Sequence, residues 1–336
     1  MKIGPCDITR KIFIIAEIGN NHEGDVELAK RMISVAAKAG VDAVKFQTFQ
    51  TRYYVSAADA ARFARLQSFE LTFEQFRDLS RVAEGEGVVF LSTPFDVESA
   101  DFLNAIVPAF KISSGDNNFY PLLERVAGFD KPLLLSRGLA DFEQIRRTVT
   151  FVEKIWTAKN ISQQIAILHC VSSYPAEPRE ANLSAIRELQ KEFSCPIGYS
   201  DHTMGMAAAP AAAALGARII EKHFTVDKNY SGFRDHSLSA DPAEMAEMVR
   251  RVRQVETLLG TGERVIQESE KRVASLVRRS IVAKRDLAAG SVLAREDLTW
   301  IRPAVGLSPG EEHLVVGKKL KRPVKFGEAV TLDIVE

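Results

Sequence analysis

The chain has 336 residues, 46% of them hydrophobic, with 44 lysines and arginines set against 44 aspartates and glutamates. That is enough apolar sequence for a large core and more than a single barrel-sized domain needs. A formal net charge of zero supplies no field to draw nucleic acid or an anionic membrane, so neither is expected as a partner.

Three cysteines, Cys6, Cys170 and Cys195, lack zinc-like spacing and read as reduced thiols, with Cys170 a small buried hydrophobe. The N-terminal residues hold no signal-peptide pattern. The longest apolar run, 204–217, is interrupted by Pro210 and falls short of the ~20 residues that span a bilayer. A cytoplasmic protein is expected.

Eight short apolar runs follow one another along the chain: 12–18, 43–49, 88–95, 109–114, 132–136, 165–172, 195–200 and 218–224. Each has the length of a buried strand, and each intervening stretch has room for a crossover helix. This alternation predicts a parallel sheet closed into a (β/α)8 TIM barrel. In the first connection Val26, Ala29, Met32, Ile33, Ala36 and Ala37 fall at helical spacing before Gly40. The second connection, 51–87, is the longest and carries Tyr53, Tyr54, Phe63, Phe69 and Phe73, either as a lid on the catalytic side or as ordinary packing. Later connections repeat the pattern, as at Leu183, Ile186 and Leu189, and a last helix over 242–259 ends at Gly260-Thr261-Gly262. The barrel domain is therefore assigned to 1–262. A charged stretch, 263–277, suits a helical or extended linker. From 278 to 336, short β-rich runs alternate with turn residues such as Gly290, Pro303, Gly306 and Gly317, which predicts a small β domain with a mildly basic, solvated surface.

Chemistry in such a barrel gathers where the strands end. The residues there are Glu17, Lys45, Gln47, Thr93, Lys111, Ser114, Ser136, Tyr174, His202, Glu221 and His223. His202 and His223 end the seventh and eighth runs, which are neighbours in a closed barrel, so two imidazoles can approach one divalent ion such as Mn²⁺ or Mg²⁺. Strand alternation puts Glu221 on the same face as His223 and turns Lys222 away. Inward lysines are costly to bury unless they meet an anion, so Lys45 and Lys111 argue for a phosphate or carboxylate substrate. Ser114, Ser136 and Ser200 can add donors to it. Glu17, Asn20 and His22 form a further polar cluster, in which His22 is equally a loop residue bonded to backbone. No Gly-x-Ser-x-Gly, Rossmann or Walker pattern follows any run.

Taken together, Ile15-Ala16-Glu17-Ile18-Gly19 with Asn21-His22, Val44-Lys45-Phe46-Gln47-Thr48-Phe49, Ser92-Thr93-Pro94-Phe95, Phe110-Lys111-Ile112-Ser113-Ser114-Gly115, Leu168-His169-Cys170 with Tyr174-Pro175, Gly198-Tyr199-Ser200-Asp201-His202 and Glu221-Lys222-His223-Phe224-Thr225 closely resemble the sialic acid synthase family. The C-terminal stretch, with Arg279-Ser280-Ile281-Val282-Ala283 and Arg302-Pro303, resembles the antifreeze-like SAF domain of those enzymes. The resemblance implies condensation of phosphoenolpyruvate with an N-acylated aldose, giving a nonulosonic acid and phosphate with C–O cleavage. It places a divalent metal, Mn²⁺ or Mg²⁺, on His202 and His223. It places phosphoenolpyruvate among Lys45, Thr93, Lys111, Ser114, Ser136, Tyr174 and Ser200, and uses Glu17, Gln47 and Glu221 to orient the sugar and water. Asp235 and Arg302 are implied as sugar contacts, Arg302 reaching the partner's barrel in a domain-swapped homodimer.

The chain departs from the family pattern at several positions. Asp116 stands where Glu is common, shortening any acid–base group there. Ser136-Arg137-Gly138-Leu139 replaces Ser-Thr-Gly-Met, with Arg137 either touching phosphate or, as favoured, pointing outward. Ser172 occupies an Asn position, Ala304 a Gly position, and Arg234 is added beside Asp235. These changes sit largely around the acceptor. Two other readings remain. One is a phosphoenolpyruvate-dependent 3-deoxy-keto-acid synthase acting on a phosphorylated aldose, which calls for extra cations such as Arg52, Arg62 and Arg65. The other is a non-catalytic sugar-binding barrel.

Overall fold

A computed structural model describes residues 1–336, which form two compact units, Met1–Gly260 and Thr261–Glu336. The first unit opens with a hairpin, β1 (Lys2–Ile3) against β2 (Cys6–Asp7). Eight parallel strands follow: β3 (Phe13–Gly19), β4 (Ala43–Thr48), β5 (Val89–Pro94), β6 (Phe110–Ile112), β7 (Leu133–Ser136), β8 (Ile165–Cys170), β9 (Ile197–Asp201) and β10 (Ile219–His223). Each expected run overlaps one of them, β3 and β9 extending one residue beyond. The hydrogen-bonded order β5-β4-β3-β10-β9-β8-β7-β6 curls into a nearly closed TIM-like barrel.

Alternation along the strands sorts apolar residues into two cores. Ile14, Ala16 and Ile18 of β3 join the layer between strands and helices, whereas Phe13 and Ile15 point inward with Leu91, Leu134, Leu168 and Ile219. The inward series in β3 runs Phe13, Ile15, Glu17: apolar at the strand's start, charged at its end. The lower barrel is thus a dry plug, and charge is confined to its C-terminal mouth. Ile3 and Ile8 of the N-terminal hairpin close the plug from below. That hairpin was not foreseen, because strands of two residues carry no readable period.

The outer helices start as their sequences dictate. Asp25 caps Val26–Lys38, and Asp241 with Glu244 forms a capping box at Pro242–Leu259. The long second connection holds three helices, Thr51–Tyr54, Ala60–Phe69 and Phe73–Gly85. Its aromatics divide between the two readings. Phe73 stacks on Phe102 at 4.3 Å in the helix layer, while Tyr54 and Phe69 line the cavity at the barrel mouth. Lys222 does turn outward, where it meets Asp201 at 2.8 Å and Thr203 O at 2.8 Å among buried groups. No helix is long and apolar enough to cross a membrane.

In the second unit, helix Glu268–Val277 occupies the stretch read as a linker and buries none of its residues within the chain. β11 (Ser280–Ala283) pairs antiparallel with β12 (Leu298–Ile301) over a small core of Ile281, Val315, Leu320 and Val330. The β-rich runs expected near 291, 314 and 329 form single bridges, such as Val292 to Lys319 and Val282 to Ala329, and short 3-10 turns. A core this small is sealed by turns, and paired ladders do not extend.

Candidate active site

The register of the parallel ladder assembles the site. His223 lies beside Glu17, Glu17 beside Lys45, Gln47 beside Thr93, and Ser200 beside Glu221. The register shifts at a bulge between Glu17 and Gly19. Gly19 has φ +56°, and a β-carbon on it would sit 3.2 Å from both the Gln47 amide and the Glu17 carboxylate. Glycine here lets the two side chains meet, and Gln47 Nε2 donates to Glu17 Oε1 at 3.3 Å.

Four charges then share the barrel axis. Lys45 Nζ lies 2.7 Å from Glu17 Oε2, close enough for an ion pair though not aligned as a hydrogen bond, and 3.6 Å from Glu221 Oε2. It donates to Thr93 Oγ1 at 3.0 Å. Lys111 Nζ stands 3.8 Å from Glu221 Oε1, and all four charged residues are almost wholly buried. Neighbouring strands thus supply internal counter-charges, close for Lys45 and distant for Lys111, so the argument from a buried lysine to an anion rests chiefly on Lys111. Burial pushes the Glu17 carboxyl up to about 6, against the pull of Lys45. Burial alone would raise Glu221 too, but Lys111 and Lys45 hold it at about 2. Burial holds the Lys111 amine below the ordinary lysine range, while Glu17 and Glu221 outweigh burial at Lys45 and raise it. Burial and unequal distances to the two lysines thus push the carboxyls apart, Glu17 upward and Glu221 downward.

Above Lys111 the wall is made of hydroxyls. Ser136 and Ser172 bury their Oγ atoms without a partner, and Ser114 Oγ makes only a 3.4 Å contact to Cys170 Sγ. A β-carbon on Gly138 would lie 2.3 Å from Ser172 Oγ and 2.5 Å from Ser114 Oγ, so the cradle exists because Gly138 has none. Unspent donors around a small gap suit an anion. Ser200 also lines the cavity, but its hydroxyl donates to Glu221 Oε1 at 2.9 Å, which makes it a positioning group for that carboxylate. Arg137 points outward, its guanidinium 5.8 Å from the Phe142 ring centre.

The imidazoles adjoin this cradle through Cys170, whose Sγ lies 3.4 Å from Ser114 Oγ and 3.7 Å from His202 Nδ1. His202 and His223 rings are 5.4 Å apart, with Tyr174 tilted by 36° over His202 at 4.1 Å and edge-on to His223 at 5.8 Å. Tyr174 thus sits with the histidines. The 2.8 Å contact from His202 Nδ1 to Val171 O fixes that nitrogen as the donor and leaves Nε2 free. His223 Nδ1 is buried without a partner, and burial keeps this ring far below the ordinary histidine range, hence neutral. Against burial, contacts with Cys170 and Val171 raise the His202 ring, and His202 Nε2 with the His223 ring would fit a divalent ion. No third His, Cys, Asp or Glu joins them, so the remaining ligands would be substrate and water.

All these groups open into one cavity of about 1100 Å³. Asp116 and Asp235 line it, the first raised by burial and bonded by Ser113, the second 3.2 Å from Arg234. Arg302 belongs to the second unit and is exposed there. Arg62 and Arg65, named above as cations for a phosphorylated acceptor, line the cavity, whereas Glu23, Leu66 and Phe233 also line it and were not singled out. They come from helix and loop positions without strand-end spacing. One signal was available: Arg62, Arg65, Leu66 and Phe69 share a face of helix Ala60–Phe69 that has no acidic residue. Cys170, read as a core residue, is buried but faces the cavity.

His22 proves to be the loop residue: its Nδ1 accepts from Gly24 N–H at 3.0 Å, and burial depresses its pKa to about 4. As pH falls from the unfolded value near 6.5 to 4, the unfolded chain takes a proton the native ring refuses. His22 should therefore cost on the order of 3 kcal/mol across that window. Asparagine can still accept the Gly24 bond but does not titrate. Urea unfolding of wild type and His22→Asn at pH 7 and pH 4 should diverge accordingly, whereas parallel pH dependence would refute the assignment.

Comparison with known proteins matches this architecture. The family described as NeuB matches residues 32–264, and the SAF domain matches residues 278–336. The chain is 38% identical over 348 residues to N,N'-diacetyllegionaminic acid synthase of Legionella pneumophila, covering 99% of this chain and 97% of that protein. It is 35% identical over 339 residues to N-acetylneuraminate-9-phosphate synthase of Homo sapiens, covering 96% and 92%. The solved structure of N-acetylneuraminic acid (sialic acid) synthetase from Leptospira borgpetersenii serovar Hardjo-bovis, in complex with citrate, superposes with a TM-score of 0.73 at 38% identity, covering 78% of this chain and 90% of that one.

Proposed function

The chain belongs to the NeuB family and ends in a SAF domain, and from that membership we propose that it condenses phosphoenolpyruvate with an N-acylated aldose, in a metal-dependent reaction yielding a nonulosonic acid and phosphate. The observation that carries this reading is the single cavity holding three kinds of group: a hydroxyl cradle beside Lys111, the buried carboxyls of Glu17 and Glu221 between two lysines, and the imidazoles of His202 and His223.

In this reading Lys111, Ser114, Ser136 and Ser172 hold the phosphate of phosphoenolpyruvate, and Lys45 with Thr93 holds its carboxylate. Fixing both ends points C3 toward the imidazole wall, where the acceptor aldehyde lies. C3 forms the new C–C bond to the aldehyde carbon, whose oxygen gains a proton. Water adds to C2 and loses a proton, and the bond from C2 to the phosphate oxygen then breaks as the new hydroxyl gives up its proton, leaving a C2 carbonyl and releasing phosphate. Glu17, protonated in part near neutral pH, supplies and retrieves these protons, while Gln47 fixes its orientation. Glu221 stays ionised and faces the cationic centre developing at C2. His202 Nε2 and His223 would hold Mn²⁺ or Mg²⁺, which when bound supplies Lewis-acid polarisation of the aldehyde.

Two features of the molecule bear on acceptor and assembly. Arg62 and Arg65 line the cavity without a carboxylate partner, whereas nearby Arg52, Arg77 and Arg81 are paired, which favours a phosphorylated acceptor as a second reading. Helix Glu268–Val277 leaves Val273, Leu276 and Val277 exposed, Leu276 by 65%, as a domain-swapped homodimer would require if Arg302 is to reach a partner's barrel. Phosphate release from phosphoenolpyruvate, measured with neutral and 6-phosphorylated N-acyl hexosamines, tests the reaction. Light scattering of the same sample should give twice 37.2 kDa. Absence of turnover with every sugar would sink the synthase reading, and a monomer would sink the swap.

A further inference from the structure

Glu23 lines the cavity, yet neither the anion cradle nor the imidazole wall uses it. Its backbone adopts φ +47°, the left-handed region that costs a non-glycine residue energy and persists only where surroundings enforce it. Here they do. The Glu23 N–H donates to Asn20 O at 2.9 Å, and the next amide donates to His22 Nδ1. Gly24, with φ +86°, packs so close to helix Ala60–Phe69 that a β-carbon would sit 2.2 Å from Ser68 O.

The side chain is held as firmly as the backbone. His236 is fully buried, with Nδ1 2.7 Å from Thr225 Oγ1 and Nε2 2.9 Å from Glu23 Oε1. Ser231 Oγ donates to the same oxygen. Both contacts fall on Oε1, and the other carboxylate oxygen is left for a ligand. The side chain is 24% exposed, which on this loop means exposed to the cavity.

Topology says what that ligand is. Glu23 follows β3 and His236 follows β10; these strands are adjacent, and Glu17 and His223 are register partners at their ends. Glu23 therefore stands over the seam that ends in His223, away from the hydroxyl cradle on β6, β7 and the end of β8. That is the acceptor's half of the cavity. An ionised carboxylate only accepts hydrogen bonds, so it selects an N–H or O–H.

We propose that Glu23 is a specificity-determining residue for the acylated aldose, its free oxygen accepting a hydrogen bond from an amide N–H or hydroxyl of the sugar, with His236 as the positioning residue that fixes it. This rests on the synthase reading above. Glu23→Gln keeps an oxygen for His236 but turns an amide donor toward the sugar. Steady-state kinetics should show the acceptor KM rising about tenfold to a hundredfold, with the phosphoenolpyruvate KM unchanged within about twofold. His236→Leu should raise the acceptor KM in the same way, and His236→Gln, which restores a donor at the Nε2 position, should recover most of it. A drop in kcat or thermal stability with the two KM values unmoved would overturn the proposal and leave Glu23 as a loop staple. Absence of wild-type turnover with any acylated aldose would instead overturn the synthase reading beneath it.

Discussion

Replacing Lys111 by methionine is expected to lower kcat/KM for phosphoenolpyruvate by about 10²–10³ while leaving the barrel folded. Lys111 is buried, and its nearest carboxylate oxygen, Glu221 Oε1, is 3.8 Å away. Its one hydrogen bond is to Ile112 O at 3.3 Å. A desolvated ammonium so poorly matched within the chain has its best partner in an incoming anion, and methionine fills the same volume without a charge. Lys45 is the contrast, since it faces Glu17 at 2.7 Å and Thr93 at 3.0 Å. Lys45→Met should lose activity and also cost about 3–5 kcal/mol of stability by stranding Glu17 in the core. Thermal melts beside kinetics separate the two cases. Wild-type kcat/KM in Lys111→Met would remove the anion assignment.

Stripping divalent metal with EDTA and desalting is expected to reduce turnover to background, and adding Mn²⁺ or Mg²⁺ to restore it. His223→Ala should stay at background in both conditions and retain less metal by elemental analysis after gel filtration, with an unchanged circular dichroism spectrum. The reason is local. His202 spends Nδ1 on Val171 O and keeps Nε2, while His223 has a buried nitrogen with no protein partner. A buried ring nitrogen without a protein partner suits a metal ligand, and its removal should cost the fold little. EDTA-resistant turnover, or full activity in His223→Ala, would refute the metal role.

The eight strands and the placement of chemistry at their C-terminal ends were legible because alternation is a local property. Within β3, Phe13 and Ile15 precede Glu17 on one face, and that order can be read without a structure. Lys222 could likewise be turned away from Glu221 and His223 by period alone. Less visible were the balance of charge and the reach of the loops. Nothing in the motif around Lys45 says that Glu17 lies 2.7 Å away on the neighbouring strand. Nothing around Ser200 says that its proton is committed to Glu221.

The sequence by itself determined the barrel, the family and the set of strand-end residues, since each depends on spacing within a few residues. Only the tertiary structure decided how those residues divide the site. The ladder register pairs Glu17 with Lys45 and sets one carboxyl near 6 and another near 2. The missing β-carbon of Gly138 opens the hydroxyl cradle, and the packing of Gly24 on Ser68 aims Glu23. Hydrogen-bond partners, burial and steric clearance arise between segments distant along the chain, so they exist only once the barrel has closed.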